Sequence, residues 1–106
     1  MKEIKAFIRT NMIDYVIDGL EALPEPPGIT LSDVRGWGHV KAEDKARLTN
    51  RIKLETVVPD ERVAEIIDTI IQKGKTGNSG DGKIFISEVD KAIRIRTGEI
   101  DDEVIR

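Results

Sequence analysis

The stretch TGNSGDGKIFI, residues 76–86, sets three glycines, an aspartate and a lysine just ahead of a short apolar run. Residues 77–83 satisfy most of the phosphate-binding pattern G-x-x-x-x-G-K, but the position that should offer magnesium a Ser or Thr hydroxyl is Ile84. The flanking segments decide how the stretch is read. Upstream, Val63, Ile66, Ile67, Ile70 and Ile71 recur at helical spacing, with Asp60 suited to the N-cap. Lys73 and Lys75 place positive charge at the helix end, and Gly74 suits a left-handed C-terminal position. Downstream, KIFIS (83–87) reads as a strand. The order is therefore helix, loop, strand. In a P-loop the strand comes first and the N-terminus of the following helix points at the phosphate. Here the loop follows a helix C-terminus, whose partial negative charge repels phosphate, and the Walker reading fails. Two readings remain open. Backbone amides of Gly80, Asp81 and Gly82 could form a concave anion site with Lys83 as a point charge, or residues 74–82 are only a cap and a connection.

Working outward, Ile4, Ala6 and Ile8 alternate with Lys5 and Arg9 as a strand with one buried face, and Phe7 falls on the other face. Asn11 is a candidate N-cap for a helix carrying Ile13, Val16, Ile17, Leu20 and Leu23, which stops at Pro24. PEPPG (24–28) is a rigid loop, and ITLSDVRGW (29–37) and RIKLETVV (51–58) read as two further strands. Residues 38–50 are polar, charged and poor in large apolar groups, which predicts an exposed, mobile hairpin loop. After the strand at 83–87 comes a short basic segment, AIRIRTGE (92–99). The resulting order β-α-β-β-α-β predicts an α+β, ferredoxin-like fold: an antiparallel four-stranded sheet with both helices on one face. The other sheet face then needs a partner, and further copies of the chain are the simplest one.

The 106 residues form one domain, with a 35% charged fraction that suits a folded globular chain and only 4% aromatic residues, so the core is aliphatic. A net charge of −3 gives no global field for nucleic acid. With no Cys and a single His, His39, there is nothing for disulfides, thiolate catalysis, Cys or His metal sites, or a Ser-His-Asp triad. Neither a signal peptide nor a membrane span is visible, which predicts a cytoplasmic protein. Two weaker features accompany the glycine loop. Arg94 and Arg96, at i and i+2, would share one side of an extended segment and suit a phosphate or carboxylate, or else form an exposed face balanced by Glu99, Asp101 and Asp102. The glycines flanking Trp37 mark a point where backbone could approach a ligand, or simply a strand end.

Taken together, these residues resemble the nitrogen-regulatory PII signal-transduction family over nearly the whole chain. The resemblance is strongest in VVPDERVAEIIDTIIQKGKTGNSGDGKIFISEVDKAIRIRTGE (57–99), which carries the TG-x-x-GDGKIF signature and the terminal RIRTGE, and it includes GITLSDVRGWG (28–38). It implies a compact homotrimer that binds ATP, ADP or AMP in clefts between subunits, with magnesium where ATP is bound, and engages targets through a T-loop. By position it implies that Gly80, Asp81, Gly82 and Lys83 hold phosphates in a B-loop at 76–83. Arg94 and Arg96 would join them, and Thr30, Gly36, Trp37, Gly38 and Val57 would line the nucleotide site, with His39 and Arg51 as further ligand or phosphate contacts.

The departures are specific. The T-loop, 39–50, is shorter than is typical of the family and has no Tyr, so the tyrosine that some relatives carry for uridylylation is missing; the only Tyr is Tyr15, in the first helix. Val40 stands where the family has the glutamine that ligates magnesium and 2-oxoglutarate, and a valine cannot ligate a cation. Arg51 replaces the lysine that pairs with 2-oxoglutarate, and Asn78 and Ser79 replace a basic-apolar pair. Binding of 2-oxoglutarate is therefore not expected. The resemblance points to a nucleotide sensor without catalytic residues that regulates a transporter or a metabolic enzyme, nitrogen-linked or handling metal or inorganic carbon. The alternatives are a slow ATPase, for which Asp81 and His39 are the only candidate bases, and a purely structural trimeric module.

Overall fold

Ile4, Ala6 and Ile8 are fully or almost fully buried, while their neighbours Lys5, Phe7 and Arg9 are half-buried on the opposite face of the same strand. That alternation defines β1 (Lys2–Arg9) and fixes which side of the sheet faces the core. The computed structural model describes residues 1–40 and 45–100. After β1 come α1 (Ile13–Glu21), β2 (Thr30–Val40), β3 (Lys45–Val58), α2 (Val63–Gly74) and β4 (Ile84–Glu88), the predicted β-α-β-β-α-β order. The sheet has four strands in the order β2-β3-β1-β4, with every neighbouring pair antiparallel. The fold is ferredoxin-like.

The core lies between the sheet and the helices. Val16 and Leu20 of α1 and Ile66 and Ile70 of α2 pack on Ile4, Ala6, Ile8, Leu54 and Val58, with no aromatic side chain among the buried residues. Each such aliphatic side chain, fully buried, contributes about 1.5–3 kcal/mol. Thr56 is the one buried polar residue among those described, and its hydroxyl donates to the Gly28 carbonyl at 2.7 Å.

Three local expectations are corrected. Gly74 does not adopt a left-handed conformation; it is the last residue of α2, is buried, and a Cβ there would come 3.3 Å from Val16 Cγ2. Glycine serves close packing against α1, and the helix ends because Lys75 turns extended. Asn11 and Asp60 do not cap. Each lies inside a single 3-10 turn, at Thr10–Met12 and Asp60–Arg62, and neither helix start has a side-chain capping bond. The Asp60 carboxylate is spent instead on the Met1 ammonium, 2.9 Å away. The hairpin expected over 38–50 is present, but most of it is paired strand and not loop. β2 and β3 stay paired from Thr30↔Glu55 out to Val40↔Lys45, so a two-stranded ribbon extends past the sheet. Residues 41–44 of the expected T-loop, and Asp101 and Asp102, lie outside the described residues.

Candidate phosphate-loop site

The loop between α2 and β4 is organised by one carboxylate. Asp81 accepts hydrogen bonds from the Thr76 hydroxyl at 2.6 Å, the Thr76 amide at 2.8 Å and the Gly77 amide at 2.9 Å. It also accepts one from Arg9 Nε at 2.8 Å. The Thr76 hydroxyl and then the Arg9 guanidinium hold this carboxyl well below the usual carboxylate range. Two further cation contacts close the loop onto the sheet: Arg9 Nη2 donates to the Ser79 carbonyl at 2.8 Å and Arg51 Nη2 to the Gly80 carbonyl at 2.7 Å. Gly77, Gly80 and Gly82 take φ values of +89°, +91° and +103°, which only glycine adopts freely. At Gly82 the constraint is steric as well, since a Cβ would sit 1.8 Å from the Phe7 carbonyl oxygen. The backbone passes that closely because the Phe7 amide donates to the Lys83 carbonyl at 2.9 Å, the first rung of the β1–β4 ladder.

The Asp81 carboxylate is thus saturated, while some backbone donors of the loop are not. Among the described residues, the amides of Gly80, Gly82 and Lys83 have no acceptor, and the Lys83 ammonium has no carboxylate partner. Unbonded amides beside a lysine without a carboxylate partner are the donor types an anion requires.

Arg94 and Arg96 are placed differently from the expectation of one extended segment. Residues 93–100 form a small hairpin, with Ile93 bridged to Ile100, the Arg94 amide donating to the Glu99 carbonyl at 3.0 Å and the Gly98 amide to the Arg94 carbonyl at 2.7 Å. Arg96 lies in its turn, so the alternation of a strand does not carry over. Neither guanidinium has a carboxylate partner among the described residues.

The remaining expected residues fall elsewhere in the subunit. Thr30 and Val57 line a hollow of about 280 Å³ with Glu3, Gly28, Glu55 and Thr56, whereas Asp81, Gly82 and Lys83 line a cleft of about 320 Å³ with Ala6, Phe7, Ile8, Ile70, Ile71, Gly74, Lys75 and Ile84. Arg51 is level with Arg9 in the sheet, and Val57 is six residues further along β3, which at about 3.3 Å per residue is about 20 Å. Gly36, Trp37 and Gly38 lie on the ribbon, paired with Thr49, Leu48 and Arg47, and Trp37 is 70% exposed. His39 pairs with Ala46. One subunit does not gather these residues into one cleft.

Sequence reasoning missed Arg9, whose partner lies 72 residues away. No local signal separates it from an ordinary polar residue on the open face of a strand. It gave Asp81 a backbone-amide role and did not show that the Asp81 carboxylate is saturated by hydrogen bonds inside the loop. The same saturation removes Asp81 as a candidate general base. Among the described residues there is no cluster of metal-ligating side chains, and no helix is long and apolar enough to cross a membrane.

Comparison with known proteins places this architecture. The family model described as nitrogen regulatory protein P-II matches residues 1–99. The chain is 42% identical over 113 residues to a nitrogen regulatory protein P-II of Haemophilus influenzae, covering 99% of this chain and 100% of that protein. It is 43% identical over 115 residues to nitrogen regulatory protein P-II 1 of Escherichia coli, with 99% and 100% covered. A P-II of Pasteurella multocida is 38% identical over 113 residues with the same coverage. The chain belongs to the nitrogen regulatory protein P-II family, a family of regulatory signal proteins and not of enzymes.

Proposed function

We propose that the chain is a nucleotide-responsive regulator: a homotrimer that binds ATP or ADP between subunits and reports the bound state to a target protein through its β2–β3 ribbon. The observation that carries this reading is the pre-shaped loop at 76–83, closed by Asp81 and left with unbonded amides and the Lys83 ammonium. Polyphosphate supplies the acceptors those donors lack. Arg94 and Arg96 add two further cations without carboxylate partners among the described residues. Thr30 and Val57, which lie about 13 Å and about 20 Å along the sheet from the level of Arg51, would face the loop of a neighbouring copy, with Gly36, Trp37 and Gly38 completing the site. Oligomerisation also accounts for Phe85, Ile93, Ile95 and Ile100, which a lone subunit exposes by 54%, 57%, 101% and 57%.

The relatives align over 113 and 115 positions, more than the 106 residues present here, so they carry residues that this chain lacks. We place the deficit in the T-loop, 39–50. With Val40 at the glutamine position, the regulator would respond to nucleotide alone and not to 2-oxoglutarate. Its target would be a metabolic enzyme or a membrane transporter, and the names of the relatives favour a nitrogen-linked one.

Calorimetric titration with ATP, ADP and AMP tests the reading. Saturable micromolar binding of ATP and ADP at one site per subunit is expected. Absence of binding for all three nucleotides would reduce the chain to a structural module.

A further inference from the structure

We propose that Arg9 and Arg51 are positioning residues for the phosphate loop, a pair of guanidiniums on adjacent strands that hold residues 79–81 in their binding shape before any ligand arrives. This rests on the nucleotide reading above and goes beyond it by assigning what keeps the loop ordered. Arg9 and Arg51 are direct cross-strand partners in the β1–β3 register. Two like charges facing each other across a sheet repel, so the pairing needs compensating acceptors. The loop provides them in succession: Ser79 carbonyl and Asp81 carboxylate to Arg9, each at 2.8 Å, and Gly80 carbonyl to Arg51 at 2.7 Å. A Cβ on Gly80 would lie 3.4 Å from the Nη2 of both arginines, so the two guanidiniums flank that residue from the sheet side.

The two contacts differ in charge. Asp81 neutralises Arg9, whereas among the described residues Arg51 bonds carbonyl oxygens alone, those of Gly80 and of its own neighbour Asn50 at 2.9 Å. Among the described residues no carboxylate pairs with Arg51. Arg51 therefore leaves a net positive charge against a loop that also carries the unbonded amides of Gly80, Gly82 and Lys83. Clamping the carbonyls on the sheet side also keeps them from turning toward a bound phosphate. A glycine-rich loop that had to order on binding would lose affinity to conformational entropy.

The consequence is specific to phosphate. Loosening the clamp should weaken ligands in proportion to their phosphate contacts and leave the nucleoside part untouched. Calorimetry on the wild-type protein and on Arg9→Met and Arg51→Met, titrated with ATP and with adenosine, reads this directly. ATP affinity should fall about ten-fold or more in each variant while adenosine affinity stays unchanged, and Arg51→Lys should recover part of the ATP loss. Amide hydrogen exchange across residues 77–83 should quicken in both methionine variants without ligand. Equal losses for ATP and adenosine would show a general structural defect and overturn the proposal, as would ATP affinity that does not change. A wild-type protein that fails to bind ATP would remove the nucleotide reading and this inference together; wild-type binding with an unchanged ATP-to-adenosine ratio in the variants would remove this inference alone.

Discussion

Asp81 shows how much of the loop depends on single atoms. Its carboxylate ties Thr76 and Gly77 at one end of the loop to Arg9 on the sheet, which makes the side chain a structural latch. Because the folded protein holds this carboxyl below its ordinary value of 3.8, the latch is fully present above that value and is released only as the pH falls below it. Hydrogen exchange of residues 76–82 should therefore be as protected at pH 4.5 as at neutral pH, once corrected for intrinsic rates, and Asp81→Ala should lose that protection at both. Lys83, Arg94 and Arg96 are the opposite case, cations without a carboxylate partner among the described residues. Removing one charge-assisted phosphate contact costs about 1.5–3 kcal/mol, or roughly 10- to 150-fold in affinity. Alanine at each of the three should weaken ATP binding on that scale, read by calorimetry, with the thermal midpoint unchanged. The sequence made these cations and the glycines legible, because residue type alone states charge and permissive φ. It could not show that Asp81 turns inward, since that depends on Arg9, brought near only by the folded sheet.

At the level of elements, periodicity is local and so the helices and core strands were readable from the chain: alternation at Ile4, Ala6 and Ile8 and the stripe through Ile66 and Ile70 both end up buried. The β2–β3 connection was readable as a hairpin, but how far its arms stay paired was not. Its pairing from Gly36↔Thr49 outward is a matter of backbone hydrogen bonds with exposed residues on both sides, such as Trp37 and Leu48, so no apolar pattern announces it. The β1–β4 junction depends on Gly82, where the φ of +103° alone would cost about 1–3 kcal/mol for any other residue. A Cβ would also overlap the Phe7 carbonyl at 1.8 Å. Gly82→Ala should lower the urea midpoint by more than that φ penalty and detach the start of β4, seen as loss of amide protection at Phe7. The ribbon carries the expectation on 2-oxoglutarate. In the resemblance, a glutamine at position 40 ties the loop to magnesium, and Val40 removes that ligand. Calorimetry with Mg-ATP present should show no saturable 2-oxoglutarate site; a site at low micromolar concentration would mean that another residue, such as Asn50, has taken over the ligand's role.

At the scale of the molecule, the sheet face without helices sets the requirement for partners. Phe7 and Phe85 meet edge to face there with centroids 6.1 Å apart, and Phe85 is 54% exposed in the lone subunit. The hairpin at 93–100 adds Ile93, Ile95 and Ile100, a concentration of exposed isoleucine that one folded subunit leaves in water. The same geometry separates the loop at 76–83 from Thr30 and Val57, so a nucleotide that touches both needs a second copy. In the proposed reading assembly and binding are one property, with ligand and partner each stabilising what the other completes. Native mass spectrometry with ATP present measures both in a single spectrum. The account predicts a trimer carrying one ATP per subunit and no ATP on any monomer that dissociates in solution. A monomer that binds ATP by itself, or a trimer that binds none, would contradict a nucleotide site built between subunits.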